Sequence, residues 1–121
     1  MVKRLLVDMS LTMLHHGHIR LLKKASELGS VIVALTTDDE IIRYKGFAPS
    51  LTYEHRREIA LSIRYVSEVV KSGWIIEESF LDANNIDFLV HGDDNLNPIP
   101  SERLIIYPRT PEISSRQFRD S

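Results

Sequence analysis

The chain contains no cysteine, which rules out disulfides, thiolate metal sites and cysteine nucleophiles and suits a reducing, cytoplasmic setting. Long apolar runs are missing as well. The N-terminal stretch "VKRLLVDM" falls far short of the roughly 20 residues a bilayer crossing needs and shows no signal-peptide cleavage pattern, so it reads as a buried strand. Charge of one sign is also lacking: 15 Lys and Arg stand against 17 Asp and Glu, a net charge of -2. That balance gives no broad field for nucleic acid or an anionic membrane, so any anion site has to be local. There is no G-x-G-x-x-G, no Walker A lysine loop and no H-E-x-x-H, which excludes a standard dinucleotide binder, a P-loop NTPase and a zincin-type metal site. Internal repeats, low-complexity segments and linkers are absent.

What is present is enough for one hydrophobic core: 121 residues, 43% of them apolar, read as one domain spanning 1–121. "KRLLVDM" is β-rich, and "IRLLKKASELG" after it places Ile19, Leu21, Leu22, Ala25 and Leu28 on one helical stripe, with Gly29 as its stop. "SVIVALTTD" has the continuous apolar character of a buried strand. "DDEIIRY" follows as a short helical turn and "KGFAPS" as a loop. "LTYEHRREIALSI" reads as a helix capped by Thr52, "RYVSEVV" as a strand, and "IEESFLDANN" as a weaker helix. "IDFLVHG" and "RLIIY" are the last strands, with a final helix from about Ser114. Strands alternate with helices throughout, which predicts an α/β domain: a five-stranded, mostly parallel sheet with helices on both faces. In such a sheet ligands bind beyond the carboxyl ends of the strands, where strand order reverses. "HHGH", "HGDD" and "PRTPEISS" each come after a predicted strand, so all three can line one crevice.

Residues 15–18, "HHGH", hold three of the five histidines. A lone histidine is usually structural, and a zinc site would draw only two clear ligands, His15 and His18, with no third at suitable spacing. Position favours a different use. At a strand-to-helix junction the free backbone N–H groups and the positive end of the helix dipole attract an anion. Two imidazoles add directed donors there, and Gly17 has no Cβ to hold a phosphate away from the backbone.

With these residues in view, "LHHGHIRLL" resembles the H-x-G-H signature of the nucleotidyltransferase superfamily, and "PRTPEISSRQF" resembles its I-S-S/T-T signature. Together with "YEHRREIALSIRYVSEVV" and "LVHGDD", the chain is similar from end to end to small bacterial cytidylyltransferases of the glycerol-phosphate type. "DMS" and "YKG…LTYEHR" also resemble cytidylyltransferase domains that act on hydroxyalkylphosphonates. The resemblance implies a Rossmann-like domain in which a phosphate or phosphonate oxygen attacks the α-phosphorus of CTP and releases pyrophosphate. The nucleophile is already an anion, so the protein's task is alignment and charge stabilisation. It implies catalytic roles for His15, His18, Lys45 and Arg109, with each phosphate-binding donor contributing about 3 kcal/mol at the transition state. It further implies nucleotide contacts from Ser10, Leu11, Gly17, Gly92, Asp93, Asp94, Thr110, Ser114 and Ser115, and acceptor contacts from Lys45, Arg56 and Arg64. For Arg56 and Arg64 a solvated helix face is the competing reading, and for Asp93 and Asp94 a plain turn. Mg²⁺ is expected on the triphosphate, with no dedicated protein metal site.

The match departs at several positions. Met9, Ser10, Leu11 and Thr12 stand where glycerol-phosphate enzymes usually read G-T-F-D, Glu112 replaces a glycine, and Asn95 replaces a tryptophan. Near Glu77 and Glu78 those enzymes carry a lysine, and its loss argues for an acceptor other than glycerol phosphate, such as one bearing an amine or a phosphonate, with glycerol phosphate kept as one candidate. Adenylyl transfer and a non-catalytic nucleotide-binding relative are the competing functional readings. Small members of the family are homodimers, and "IRYVSEVV" fits either an interface or buried core. No nucleic acid or membrane partner is expected.

Overall fold

The apolar runs become five strands: β1 Lys3–Met9, β2 Gly29–Thr36, β3 Glu68–Ser72, β4 Phe88–Gly92 and β5 Leu104–Tyr107. Between them lie the helices α1 His16–Ser26, α2 Asp38–Lys45, α3 Tyr53–Leu61 and α4 Glu78–Ala83, and a 3-10 turn at Ser101–Arg103. The computed structural model describes residues 2–14 and 16–108. The strands form one sheet in the order β3-β2-β1-β4-β5, with every pairing parallel. All five carboxyl ends therefore share one edge, and the order reverses between β1 and β4. This is the Rossmann-like arrangement the sequence implied, with the sheet wholly rather than mostly parallel.

The period-two geometry of a strand divides the apolar side chains between two faces. Leu5, Val7, Val31, Val33, Leu35 and Val90 meet Leu22 and Ala25 of α1 and Tyr53 and Ala60 of α3. Leu6, Ile32, Ala34 and Leu89 pack on the other face against Ile76, Leu81 of α4, Ile86 and Ile99. Helices thus cover both faces. Carried one step further along each strand, the second set reaches the carboxyl edge at Asp8, Thr36 and His91. Among the described residues no helix is long and apolar enough to cross a membrane.

Thr52 caps α3 as expected, its side-chain oxygen accepting from the His55 N–H at 3.5 Å. Gly29 does not stop α1: the helix ends at Ser26 and Gly29 opens β2 opposite Lys3. Glycine is required because a Cβ there would lie 2.2 Å from the Lys3 carbonyl oxygen. Leu28 consequently falls in the turn and is exposed rather than on the buried stripe. The strand expected at "RYVSEVV" begins only at Glu68. Residues 62–66 form turns, with the Ile63 N–H donating to Ala60 and the Val66 N–H to Ile63. Ile63, Tyr65, Val66 and Val69 nevertheless pack against the core, which accounts for the apolar character of that run. Lys45, expected in a loop, is the last residue of α2. The true stop is Gly46, left-handed at φ 80°, whose N–H donates to the Ile42 carbonyl.

Candidate functional site at the carboxyl edge of the sheet

Where β1 and β4 diverge in strand order, their carboxyl ends open a crevice of about 240 Å³. Asp8, Thr36 and His91 come from strand ends, Trp74 from the segment after β3, and Asp94 and Asn97 from the segment after β4. The crevice is smaller than the roughly 300–1,000 Å³ of most ligand pockets, a size suited to a small molecule or one part of a nucleotide.

Its polar floor is a histidine between two carboxylates. His91 Nε2 lies 3.5 Å from Asp8 Oδ1, and His91 Nδ1 lies 3.5 Å from Asp94 Oδ1 and 3.1 Å from the Gly92 carbonyl oxygen. Asp8 Oδ1 is closed to solvent and, among the described residues, accepts no hydrogen bond. Burial pushes the Asp8 carboxyl above its ordinary 3.8. His91, a backbone hydrogen bond and the Asn97 amide pull it back, and Asp94 adds a further upward push. Asn95 and Asn97 hold the wall: Asn95 Oδ1 accepts from the Asn97 N–H at 3.1 Å, and Asn97 Oδ1 accepts from the Ile76 N–H at 2.7 Å. Asn97 thus ties the loop after β4 to the one after β3, and Asn95 braces Asn97 from within its own loop.

A second charged group shapes the site from beneath. Arg56 of α3 is fully buried. Its Nη1 donates to the Ser10 carbonyl at 2.7 Å and the Thr36 carbonyl at 2.8 Å, its Nε to the Leu51 carbonyl at 3.1 Å, and its Nη2 to Asp38 at 2.5 Å. Asp38 also accepts from the Tyr53 N–H at 3.3 Å, so the starts of α2 and α3 are clamped together. Neither the acceptor contact expected for Arg56 nor the competing solvated helix face is what the fold provides. No part of this guanidinium is accessible, and it fixes the ends of β1 and β2 and the loop before α3.

The other expected site residues are distributed as follows. Ser10 lines the crevice, and its hydroxyl lies 3.3 Å from that of Thr12, so the residue replacing the usual aspartate braces the loop after β1. Leu11 takes the left-handed conformation, φ 58°, with its side chain in the core, leaving its backbone as the part that faces the loop. Gly17 and His18 occupy the first turn of α1. Gly92 ends β4, and Asp93 and Asp94 form the exposed turn after it, with Asp94 reaching the crevice. Lys45 is not among the residues lining the crevice but lies beside one of them, its Nζ 5.7 Å from the centroid of the Trp74 ring, which itself stacks on Tyr44 at 5.6 Å. Arg64 sits in the turn after α3, over the Tyr65 ring at 5.2 Å, and is not among the residues lining the crevice. Glu78, one of the pair in place of a lysine, is turned towards Arg103 at 3.2 Å. His15, Arg109, Thr110, Glu112, Ser114, Ser115 and the expected last helix lie outside the described residues.

Sequence reasoning missed Asp8, His91 and Trp74. A signal existed for the first two: each is an ionisable residue at the carboxyl end of an apolar strand, on the same side as the preceding buried leucine.

Residues 12–119 match the family described as cytidylyltransferase-like. A glycerol-3-phosphate cytidylyltransferase from Bacillus subtilis (strain 168) is 32% identical over 98% of this chain and 96% of its own length. An ethanolamine-phosphate cytidylyltransferase from Mus musculus is 37% identical over 77% of this chain, which spans 23% of that protein. Among solved structures, a lipopolysaccharide core biosynthesis protein from Thermoplasma volcanium GSS1 shares the fold at TM-score 0.74, with 16% identity over 90% of this chain and 98% of that one. The family match from Thr12 onward takes in the His18 helix, Lys45 and the Gly92 turn, and the Bacillus subtilis relative aligns over nearly the whole of both chains. The chain therefore belongs to the cytidylyltransferase-like family and is a nucleotidyltransferase enzyme.

Proposed function

We propose that the protein transfers the cytidylyl group of CTP to a small phosphate monoester or phosphonate. A phosphoryl oxygen of the acceptor attacks the α-phosphorus, the bond to the bridging oxygen of the β-phosphate breaks, and pyrophosphate leaves. The observation that carries this reading is the placement of Gly17 and His18 in the first turn of α1, directly beyond β1 and beside the point where strand order reverses. Helix N–H groups and an imidazole there suit the triphosphate. The adjoining crevice, about 240 Å³, has room for a smaller group than the triphosphate. In this reading Lys45, close to the crevice-lining Trp74, meets the acceptor's phosphoryl group as a mobile point charge. His15, Arg109, Thr110, Ser114 and Ser115 are assigned to the nucleotide by their motifs. Arg56 acts indirectly, by fixing the loop that carries Ser10. Mg²⁺ enters with the triphosphate as part of the substrate, keeping several of its waters.

The test is pyrophosphate release from each of the four nucleoside triphosphates with glycerol phosphate, phosphocholine, phosphoethanolamine and hydroxyethylphosphonate in turn. Release with CTP and one acceptor class is the expected result. Release with ATP in preference to CTP would replace cytidylyl by adenylyl transfer. Binding of CTP without release from any pair would favour a non-catalytic nucleotide-binding protein.

A further inference from the structure

The segment after β3 carries Trp74 to the crevice without a strand to lie against. β2 pairs with β3 only as far as Thr36 opposite Ser72, then leads through Thr37 into α2. Beyond that point the backbone N–H groups of the segment need partners from outside the sheet. Two side chains supply them. Glu40 Oε1 of α2 accepts from the Trp74 N–H at 3.0 Å, and Asn97 Oδ1 accepts from the Ile76 N–H at 2.7 Å.

Glu40 is packed directly against the segment. Its Oε1 lies 2.9 Å from where a Cβ on Gly73 would stand, so the carboxylate fills the space a side chain would take. The other oxygen is 3.6 Å from Arg43, whose side chain is 72% exposed, and such a surface pair contributes little. The backbone of Trp74 is thus the main partner of this carboxylate. One turn further along α2, Tyr44 stacks on the Trp74 ring with 5.6 Å between centroids and 12° between planes. Residues four apart share a helix face, so one face of α2 holds Trp74 by its backbone and by its ring. An offset stack tolerates sliding in its own plane, whereas a hydrogen bond fixes the backbone from which the ring projects.

We infer that Glu40 is a positioning residue: it does not itself line the crevice, but by holding the Trp74 N–H it sets the indole that forms the wall on the acceptor's side. Its bearing on the acceptor rests on the transfer reading above, and its hold on Trp74 rests on geometry alone. The competing role is purely structural, since Glu40 stands in the first turn of α2, where a negative charge favours the helix dipole. Glutamine separates the two, because it gives up the charge and keeps an oxygen that can accept from the Trp74 N–H.

Trp74 is the only tryptophan in the chain, so its fluorescence reports on this wall alone. Wild type, Glu40→Gln and Glu40→Ala are compared without ligand by emission maximum and acrylamide quenching. KM and kcat are then measured for CTP with whichever of glycerol phosphate, phosphoethanolamine and 2-hydroxyethylphosphonate releases pyrophosphate. Glu40→Ala should red-shift the emission, strengthen quenching and raise the acceptor KM about tenfold, with the KM for CTP and kcat within about twofold of wild type. Glu40→Gln should keep the wild-type emission and most of the acceptor affinity. Gly73→Ala, which drives a Cβ into the carboxylate from the other side, should shift the emission in the same direction as Glu40→Ala. If the emission follows this order while no pair releases pyrophosphate, the transfer reading fails and the hold on Trp74 stands. Unchanged emission and quenching in Glu40→Ala, a Glu40→Gln as impaired as Glu40→Ala, or equal rises in both KM values would overturn the inference.

Discussion

Asp8 and Arg56 are charged residues set among apolar ones, and they do opposite things for the fold. Arg56 has its guanidinium engaged by three carbonyls and a carboxylate, so removing it orphans acceptors that burial has cut off from water. Arg56→Ala should cost about 3–5 kcal/mol in urea unfolding, and Arg56→Lys should not restore it, because an ammonium cannot span the same fork. Asp8 works against the fold at neutral pH. Its native carboxyl titrates above the ordinary 3.8. Between that value and the native one the folded state holds more protons than the unfolded state, so stability falls as pH rises through the window. Asp8→Asn removes this term. Its melting temperature relative to wild type should therefore be higher at neutral pH than below 3.8, the ordinary value. A constant difference across that range would show that burial does not govern Asp8. The histidine and lysine motifs were legible in the sequence because their residue types carry chemistry wherever they stand. Asp8 and His91 were passed over although each stands two residues after a buried leucine at the carboxyl end of an apolar strand, because period-two geometry marks that face only once the strand is known to end at the site.

At the level of elements, most of the alternation was readable because buried parallel strands are near-continuous apolar runs and their helices keep a 3.6-residue stripe. Errors fell where one residue serves a tertiary need. Gly29 reads as a helix stop, yet its requirement comes from the neighbouring strand. Gly29→Ala should destabilise by about 1–3 kcal/mol through collision with the Lys3 carbonyl, shown by a lower urea midpoint. Unchanged stability would mean that β1 yields easily. The late start of β3 has a similar origin: an apolar run feeds the core from turns as readily as from a strand. Thr52, by contrast, is a local device and was read correctly. Thr52→Ala should cost about 1 kcal/mol by the same assay, and its 3.5 Å bond favours the lower half of the range for caps.

For the molecule as a whole, the sheet order creates the site by putting β1 beside both β2 and β4, so that α1 and the turn after β4 converge on one edge. The strand pattern indicated that such an edge would exist, and the motifs that follow three of the strands indicated what it would hold. The crevice was less legible, because Trp74 and Asp94 join it from 66 and 86 positions after Asp8 in the chain. The central claim is direct transfer of the cytidylyl group with His18 at the triphosphate. Phosphorus NMR of the protein with CTP, Mg²⁺ and a small phosphonate acceptor tests it most directly. The account predicts a paired phosphonate–phosphate signal growing in equal amount with pyrophosphate, slowed about 10²–10³-fold in His18→Ala. CMP or inorganic phosphate in place of the joined product, or an undiminished rate in His18→Ala, would contradict it.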